Sequence, residues 1–369
     1  MPFAQLTAFK LVIGPPGSGK STYCAGMHQF MSAIGRKSQI VNLDPANDAT
    51  PYPCALDVRK LVTLDEVMED HGLGPNGGVV YALEELEENV EWLEEALVGF
   101  GEDYILFDCP GQVELFTHHN SLRNIFTRLE KLGYRLVVVH LLDSHHLASP
   151  SQYISILLTA LRSMLLLSLP HINVLTKMDL LRSHGPLPFN LDFYTDAQDL
   201  PRLLPHVLAS EQGGDRFAKL NEAICELVDS FGLVGFETLA VEDKASMTHL
   251  LQTIDRAGGY AFGSAEGAGD SIWTVAMRER WGEAVGGVMD VQERWVDARD
   301  EYDAFERERE ERLQREREKE WRRKRREEGE YVESESEDED EEAPVGGNGE
   351  GKIDKKADAK GEAVDIVER

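Results

Sequence analysis

Residues 9–21 read Phe-Lys-Leu-Val-Ile-Gly-Pro-Pro-Gly-Ser-Gly-Lys-Ser, an apolar run that breaks into a glycine-rich loop ending in Lys20-Ser21. From Gly14 to Ser21 the string fits G-x-x-x-x-G-K-[ST], and the spacing predicts a strand before it and a helix beginning near Lys20. Glycines let such a loop turn its backbone N–H groups onto phosphate oxygens, and the helix N-terminus adds partial positive charge. Lys20 reaches the β- and γ-phosphates, and the Ser21 hydroxyl can ligate Mg²⁺. Gly14, Gly17, Ser18, Gly19, Lys20, Ser21 and Thr22 are therefore the candidate phosphate-binding residues. The bland alternative is a glycine-rich turn without a ligand; the strand–loop–helix setting argues against it.

Outward from this loop, β-rich runs alternate with helical spacing as far as about Phe262. The candidate strands end at Gly14, Asp44, Asp108, Asp143, Lys177 and Val241. That pattern describes an α/β fold, a P-loop NTPase with a mostly parallel sheet flanked by helices, helical insertions and a charged C-terminal extension. Open α/β sheets bind ligands at the carboxyl ends of their strands, so motifs at those ends converge on one crevice. Three parts are expected: a main domain over 1–297, with Trp273, Met277, Trp281 and Trp295 in late helices packed on its body, a charged helix over 298–330, and a disordered acidic tail over 331–369. In the charged helix, pairs such as Glu308/Arg312, Glu311/Arg315, Glu318/Arg322 and Glu320/Lys324 stand acid-first at i,i+4.

The 369 residues carry 38 Lys and Arg against 67 Asp and Glu, a net charge of −29 that argues against direct, non-specific nucleic-acid binding. The acidity is not confined to the tail: residues 291–369 hold 18 basic and 29 acidic side chains, and residues 1–290 hold 20 and 38. With 42% hydrophobic residues, the chain has material for a sizeable core. Cys24, Cys54, Cys109 and Cys225 lie far apart, which suits reduced, buried thiols and not a disulfide framework or zinc site. The longest apolar stretch, 154–169, is interrupted by Arg162 and reads as a core helix, not a membrane span. With no basic-then-apolar leader before Gly14, the expected compartment is the cytoplasm.

The other strand ends narrow the chemistry. Asp108-Cys109-Pro110-Gly111-Gln112 follows YILFD; its Asp stands where a carboxylate helps hold Mg²⁺, Gly111 can donate an N–H to the γ-phosphate, and Gln112 can orient a water. Thr176-Lys177-Met178-Asp179 is an x-K-x-D element, in which the carboxylate of Asp179 can accept from guanine N1–H and the exocyclic amine while the Lys177 stem lies along the base. Adenine offers no such donor pair, so the element selects GTP over ATP. Asp44-Pro45-Ala46-Asn47 ends another run; Asp44 can position the attacking water, or it can simply close a strand in an Asp-Pro turn. Gly74-Pro75-Asn76-Gly77-Gly78, before the helical YALEELEENVEWLEEAL, reads on spacing alone as a turn.

Together GPPGSGKST, LDPAN, GPNGG, FDCPGQVELFTHH, HINVLTKMD and FNLDFYTD resemble the GPN-loop GTPase family over about residues 8–297. The resemblance implies a GTPase working as a homodimer, or as a heterodimer with a GPN-loop paralogue, with GTP and GDP as substrate and product and Mg²⁺ as cofactor. It implies that Gly74, Pro75 and Asn76 reach across the interface, Asn76 bringing its amide to the partner's site in place of an arginine finger. It further implies clients among RNA polymerase II subunits or their assembly factors, with nuclear shuttling, and neither direct nucleic-acid contact nor a membrane. Lys20, Asp44, Asn76 and Gln112 are then the catalytic set and Ser21 with Asp108 the metal set. The backbone group near Thr238-Leu239-Ala240 that meets the base is left open. Two rivals stand beside this reading: a P-loop ATPase or kinase, which would need an arginine-rich lid that the globular part lacks, and an assembly scaffold with structural nucleotide.

Other features carry less. His118-His119 and His145-His146 lack an identifiable third metal ligand and suit turns or an interface. Arg322-Arg323-Lys324-Arg325-Arg326 fits an import signal or a charged helix, and Ser334 and Ser336 sit in an acidic run that suits a solubilising tail.

Overall fold

A computed structural model of the chain describes residues 8–210, 217–259 and 291–327. Its centre is a seven-stranded sheet, β1 Ala8–Ile13, β2 Ser38–Asn42, β3 Cys54–Asp57, β4 Tyr104–Asp108, β5 Arg135–Asp143, β6 His171–Thr176 and β7 Phe236–Thr238. The order is β3-β2-β4-β1-β5-β6-β7 and every pairing is parallel, so all seven carboxyl ends share one edge. Six strands are those expected, with ends within a few residues. The seventh, β3, is not among the candidate strands of the sequence.

The α-helices are α1 Lys20–Ala33, α2 Leu64–His71, α3 Pro75–Glu88, α4 Val90–Val98, α5 Val113–Thr117, α6 Ser121–Lys131, α7 Pro150–Leu167, α8 Leu191–Asp196, α9 Leu204–Ser210, α10 Ala218–Phe231 and α11 Lys244–Ala257, followed by a last helix, Arg299–Glu327. They cover both faces of the sheet. On β1 the pleat alternates: Phe9, Leu11 and Ile13 join a core with Val79, Leu83 and Leu86 of α3 and Phe126 of α6. Val12 faces the other way, into a core with Tyr23 and Met27 of α1 and Leu250 and Ile254 of α11. A third cluster joins α7, α8, α10 and Trp295. The stretch 154–169 is indeed a core helix, α7.

The Gly-Pro-Asn string is not a turn preceding a helix. Gly74 caps α3 and Pro75 occupies its first position, where its fixed φ suits a helix and its missing N–H costs nothing. Asn76 therefore stands in the first helical turn.

By contacts the chain divides into two units, residues 1–306 and 307–369. The second contains the outer part of the last helix, with Arg315 Nη2 and Glu311 Oε2 paired at 3.3 Å as the spacing predicts. The side chains of Glu318, Glu320, Arg322 and Lys324 lie outside the described residues, as do the apolar positions Trp273, Met277 and Trp281, residues 328–330 and the acidic tail. No helix among the described residues is long and apolar enough to cross a membrane.

Candidate nucleotide site

Between β1 and α1 the loop turns on glycines with positive φ at Gly14, Gly17 and Gly19. At Gly14 a Cβ would stand 2.2 Å from the carbonyl oxygen of Leu141, so only glycine lets the loop leave β1 against β5. Lys20 is buried and, with its Nζ 3.1 Å from the Gly14 carbonyl oxygen and 3.2 Å from that of Pro15, folds over the loop it belongs to. Burial lowers its pKa, opposed by the carboxylates of Asp108 and Asp44. Gly17 and Thr22 are exposed and Ser18 is buried, its hydroxyl without a hydrogen-bond partner among the described residues.

Asp108 closes β4 between Val12 of β1 and Asn42 of β2. Its Oδ2 accepts from Ser21 Oγ at 2.8 Å and from the Tyr52 hydroxyl at 2.7 Å, whereas Oδ1 is buried and, among the described residues, without a hydrogen-bond partner. Burial raises the carboxyl's pKa against the pull of those two hydrogen bonds and of Lys20. An orphaned carboxylate oxygen beside a serine hydroxyl fits Mg²⁺, which takes one or two protein oxygens and completes its shell with phosphates and water. Among the described residues there is no group of three or more His, Cys, Asp or Glu that could hold a metal by themselves. Gly111 brings the same loop close: a Cβ there would stand 2.9 Å from Lys20 Nζ.

Asp44 lies just past β2, half-buried, with Oδ1 accepting from the Ala46 N–H at 3.0 Å. Burial raises its pKa and the charge of Asp108 adds to the rise. The loop is braced by a network that sequence reasoning missed. Asn42 donates to the Asp44 carbonyl at 3.1 Å and to Asp57 Oδ1 at 3.2 Å, and Arg59 pairs with Asp57 at 2.6 Å and reaches the Asp48 carbonyl at 2.9 Å. Tyr52 was missed as well; its only signal was an aromatic residue flanked by prolines in Pro51-Tyr52-Pro53.

Asn76 is exposed, and its Oδ1 accepts from Gln112 Nε2 of the same chain at 3.5 Å. The first turn of α3 and the loop after β4 thus adjoin within one subunit.

The x-K-x-D element is tied to the phosphate loop, since the Thr176 hydroxyl lies 2.9 Å from the Ser18 carbonyl oxygen and 3.1 Å from that of Leu142. Lys177 adopts a left-handed conformation, φ 57°, and its Nζ meets Asp143 Oδ2 at 2.6 Å. Asp179 is half-buried, and among the described residues its carboxylate takes no hydrogen bond. Met178 is buried in the cluster that holds Leu181 and Trp295, so its side chain packs the loop from within instead of facing a ligand. Near Thr238-Leu239-Ala240 two amides are already engaged: Leu239 N–H donates to Leu175 at 2.8 Å and Ala240 N–H to Ser246 Oγ at 3.1 Å. Neither is a free donor for a base.

Of the histidine pairs, His119 meets Glu84 at 3.0 Å and His145 meets Asp143 at 3.0 Å, as local polar contacts. Cys24, Cys109 and Cys225 are buried thiols, and Cys54 is half-buried.

Residues 12–260 match the protein family described as "conserved hypothetical ATP binding protein". GPN-loop GTPase 2 of Saccharomyces cerevisiae is 54% identical over 314 residues, covering 84% of this chain and 88% of the yeast protein. GPN-loop GTPase 2 of Danio rerio is 50% identical, covering 78% of this chain and 92% of its own. GPN-loop GTPase QQT1 of Arabidopsis thaliana is 52% identical, covering 69% and 85%. A crystal structure of a GTPase in apo form from Pyrococcus abyssi superposes with a TM-score of 0.54 at 26% identity, over 68% of this chain and 97% of that one. The family description names ATP, whereas each of these four relatives is a GTPase by name. With relatives above half identity across most of its length and a phosphate loop, a buried Asp108 and an x-K-x-D element gathered at one sheet edge, the chain belongs to the GPN-loop GTPases and is a GTP-binding, GTP-hydrolysing enzyme.

Proposed function

We propose that the protein hydrolyses GTP as one half of a dimer whose shape, and hence whose hold on a client, changes with the nucleotide. The observation that carries the reading is that loops from three strand ends are hydrogen-bonded to one another: Ser21 to Asp108 at 2.8 Å, and Thr176 to the Ser18 carbonyl at 2.9 Å. A triphosphate lying along Gly14–Thr22 would have its base beside Lys177 and Asp179. Gly14, Gly17, Ser18, Gly19 and Gly111 supply the close backbone, and Lys20 leaves its loop carbonyls to neutralise β/γ charge. Ser21 and the free Oδ1 of Asp108 would hold Mg²⁺, which supplies Lewis-acid stabilisation of phosphate charge. Asp44, held near Lys20 by its braced loop, and Gln112 position the attacking water. The Asp179 carboxylate, free of other hydrogen bonds among the described residues, accepts from the two guanine donors, and adenine would leave it unpaired.

In this reading Asn76 acts on the site of a second subunit, a homodimer partner or a GPN-loop paralogue. Its exposure on the rim, at the N-terminus of α3, supports the role: an amide donor presented there can meet charge developing on a phosphate it does not itself bind. Clients among RNA polymerase II subunits or their assembly factors, met in the cytoplasm and followed to the nucleus, complete the proposal.

The test is Asn76→Ala together with Asp179→Asn. Asn76→Ala is expected to keep mant-GTP affinity and slow single-turnover hydrolysis; an unchanged rate, or a monomer with both GDP and a non-hydrolysable GTP analogue, refutes the trans role. Asp179→Asn is expected to weaken GTP binding and relax base choice, and an undiminished preference for mant-GTP over mant-ATP removes it from the site.

A further inference from the structure

We propose that Arg299 is a positioning residue for base selection: from outside the cleft it fixes the backbone of Asp179, so that affinity for guanine depends on the segment that follows Val291. The proposal rests on the reading of Asp179 as the base-selecting carboxylate.

Three consecutive residues of the base loop, Lys177, Met178 and Asp179, are each held through a backbone group by a different element. Ser144, just past β5, donates its hydroxyl to the Lys177 carbonyl at 3.0 Å. Leu239, just past β7, accepts from the Met178 N–H at 3.3 Å. Arg299 donates through Nη1 to the Asp179 carbonyl. The loop needs such holding. Lys177 sits at φ 57°, a conformation that costs a non-glycine residue about 1 kcal/mol or more. The segment after it, Met178–His184, is a short 3₁₀ stretch with poor hydrogen-bond geometry of its own.

Arg299 is itself held in place. Trp295 is buried in the cluster that contains Met178 and Leu181, which anchors this part of the chain beneath the loop. Arg294 and Arg299 share Asp303, at 2.7 Å and 3.5 Å, and both guanidinium groups lie over the Trp295 ring, 4.3 Å and 6.0 Å from its centre. Gln292 accepts from the Leu191 N–H at 2.7 Å, tying the start of the segment to α8. The Asp179 carboxylate has no side-chain hydrogen bond among the described residues, so its direction is set through its own backbone, and Arg299 is the group that grips that backbone at its carbonyl. A two-point contact with guanine tolerates little misplacement, and a one-point contact tolerates more.

The experiment measures GTP, ITP and ATP displacement of mant-GDP, and steady-state hydrolysis, for full-length wild type, Arg299→Ala, Arg299→Lys and Asp179→Asn. ITP lacks the exocyclic amine and so uses one of the two contacts. Arg299→Ala is expected to raise the Kd and KM for GTP about tenfold, with kcat held within about twofold and the GTP-over-ITP preference reduced. Arg299→Lys, which keeps a cationic donor, is expected to recover most of both. If Arg299→Ala weakens GTP and ITP equally, or lowers kcat in step with its unfolding midpoint, Arg299 serves the fold alone and the proposal is overturned. If Asp179→Asn loses guanine preference and Arg299→Ala keeps it, the proposal fails while the reading of Asp179 stands. If Asp179→Asn itself keeps guanine preference, both fall.

Discussion

Removing one hydroxyl from the floor of the site, as Tyr52→Phe, tests whether Asp108 is held ionised by its neighbours. The Tyr52 hydroxyl donates to Asp108 Oδ2 at 2.7 Å, with Tyr52 6% and Asp108 1% exposed, so water does not readily replace it. Burial raises the pKa of Asp108, and the Tyr52 and Ser21 hydrogen bonds and the charge of Lys20 work against that rise. A hydrogen bond to a charged group contributes about 1.5 to 3 kcal/mol and one between neutral groups about 1 kcal/mol. Losing the bond therefore costs about 2 kcal/mol while Asp108 is ionised and about 1 kcal/mol once it is protonated. The difference, about 1 kcal/mol, lifts the carboxyl's pKa further, by a little under one pH unit. A carboxyl whose folded pKa exceeds its unfolded value keeps its proton longer in the folded chain, so its contribution to stability falls as pH rises from the unfolded value through the folded one. In the variant that fall continues to higher pH. Urea unfolding of nucleotide-free protein between pH 4.5 and 8 is the assay: the variant's deficit is expected to be about 2 kcal/mol at pH 8, narrowing toward about 1 kcal/mol as pH drops. A deficit independent of pH would refute the reasoning, because it would mean that the hydroxyl does not act through the charge on Asp108.

Two glycines of the phosphate loop separate sterics from backbone strain. Gly14→Ala drives a methyl to within 2.2 Å of the Leu141 carbonyl oxygen and is expected to destabilise by more than about 3 kcal/mol, whereas Gly17→Ala, at φ 80° with nothing within 4 Å of the added carbon, is expected to cost about 1 to 2 kcal/mol; denaturant midpoints rank them. Lys10 is buried with no hydrogen-bond partner for Nζ among the described residues, and burial lowers its pKa from 10.5 to about 8. Folding therefore releases a proton between those values: the wild type carries the charging cost below pH 8 and gains stability as pH rises from 8 toward 10.5. Lys10→Met is expected to add up to about 3 kcal/mol at pH 7 and to flatten that rise in calorimetry; no gain at pH 7 would mean the amine is solvated. Thr176→Val leaves the Ser18 and Leu142 carbonyls without their shared donor and is expected to cost about 1 to 2 kcal/mol and weaken mant-GDP binding; unchanged binding would show that this tie is not needed at the phosphate loop.

What could be read from the chain, and what could not, follows from the range of the interactions involved. The phosphate loop and the x-K-x-D element are local: glycine conformation and strand-end position are properties of a few neighbouring residues, and each sits where its string puts it. β3 was missed because four residues, Cys54–Asp57, at a sheet edge show no period long enough to separate a strand from a connection. Gly74-Pro75-Asn76 reads on spacing alone as a turn although proline at the first helical position is a helix-start signal; the glycines that follow obscure it. Tyr52 lies 56 residues from Asp108, and nothing local indicates that the sheet brings them together.

The Asn42–Asp57–Arg59 network shows why such residues matter to the site without touching a ligand. Asp44 follows β2 directly, and β2 is fixed on one side by β4, which ends in Asp108, and on the other by β3. β3 is short and borders solvent, so its pairing alone is a weak brace. Asn42 closes the gap by accepting from the Asp44 N–H at 3.1 Å while donating to Asp57 on β3, and Arg59 holds Asp57 in turn. Burial by itself would raise the Asp57 carboxyl's pKa, but the Arg59 hydrogen bonds keep it below the usual carboxylate value, so it stays a charged acceptor. The position of Asp44 beside Lys20 is thus set by a chain of polar contacts running to the edge of the sheet, and a change at Arg59, outside every nucleotide motif, would reach Asp44 through Asp57 and Asn42 in that order.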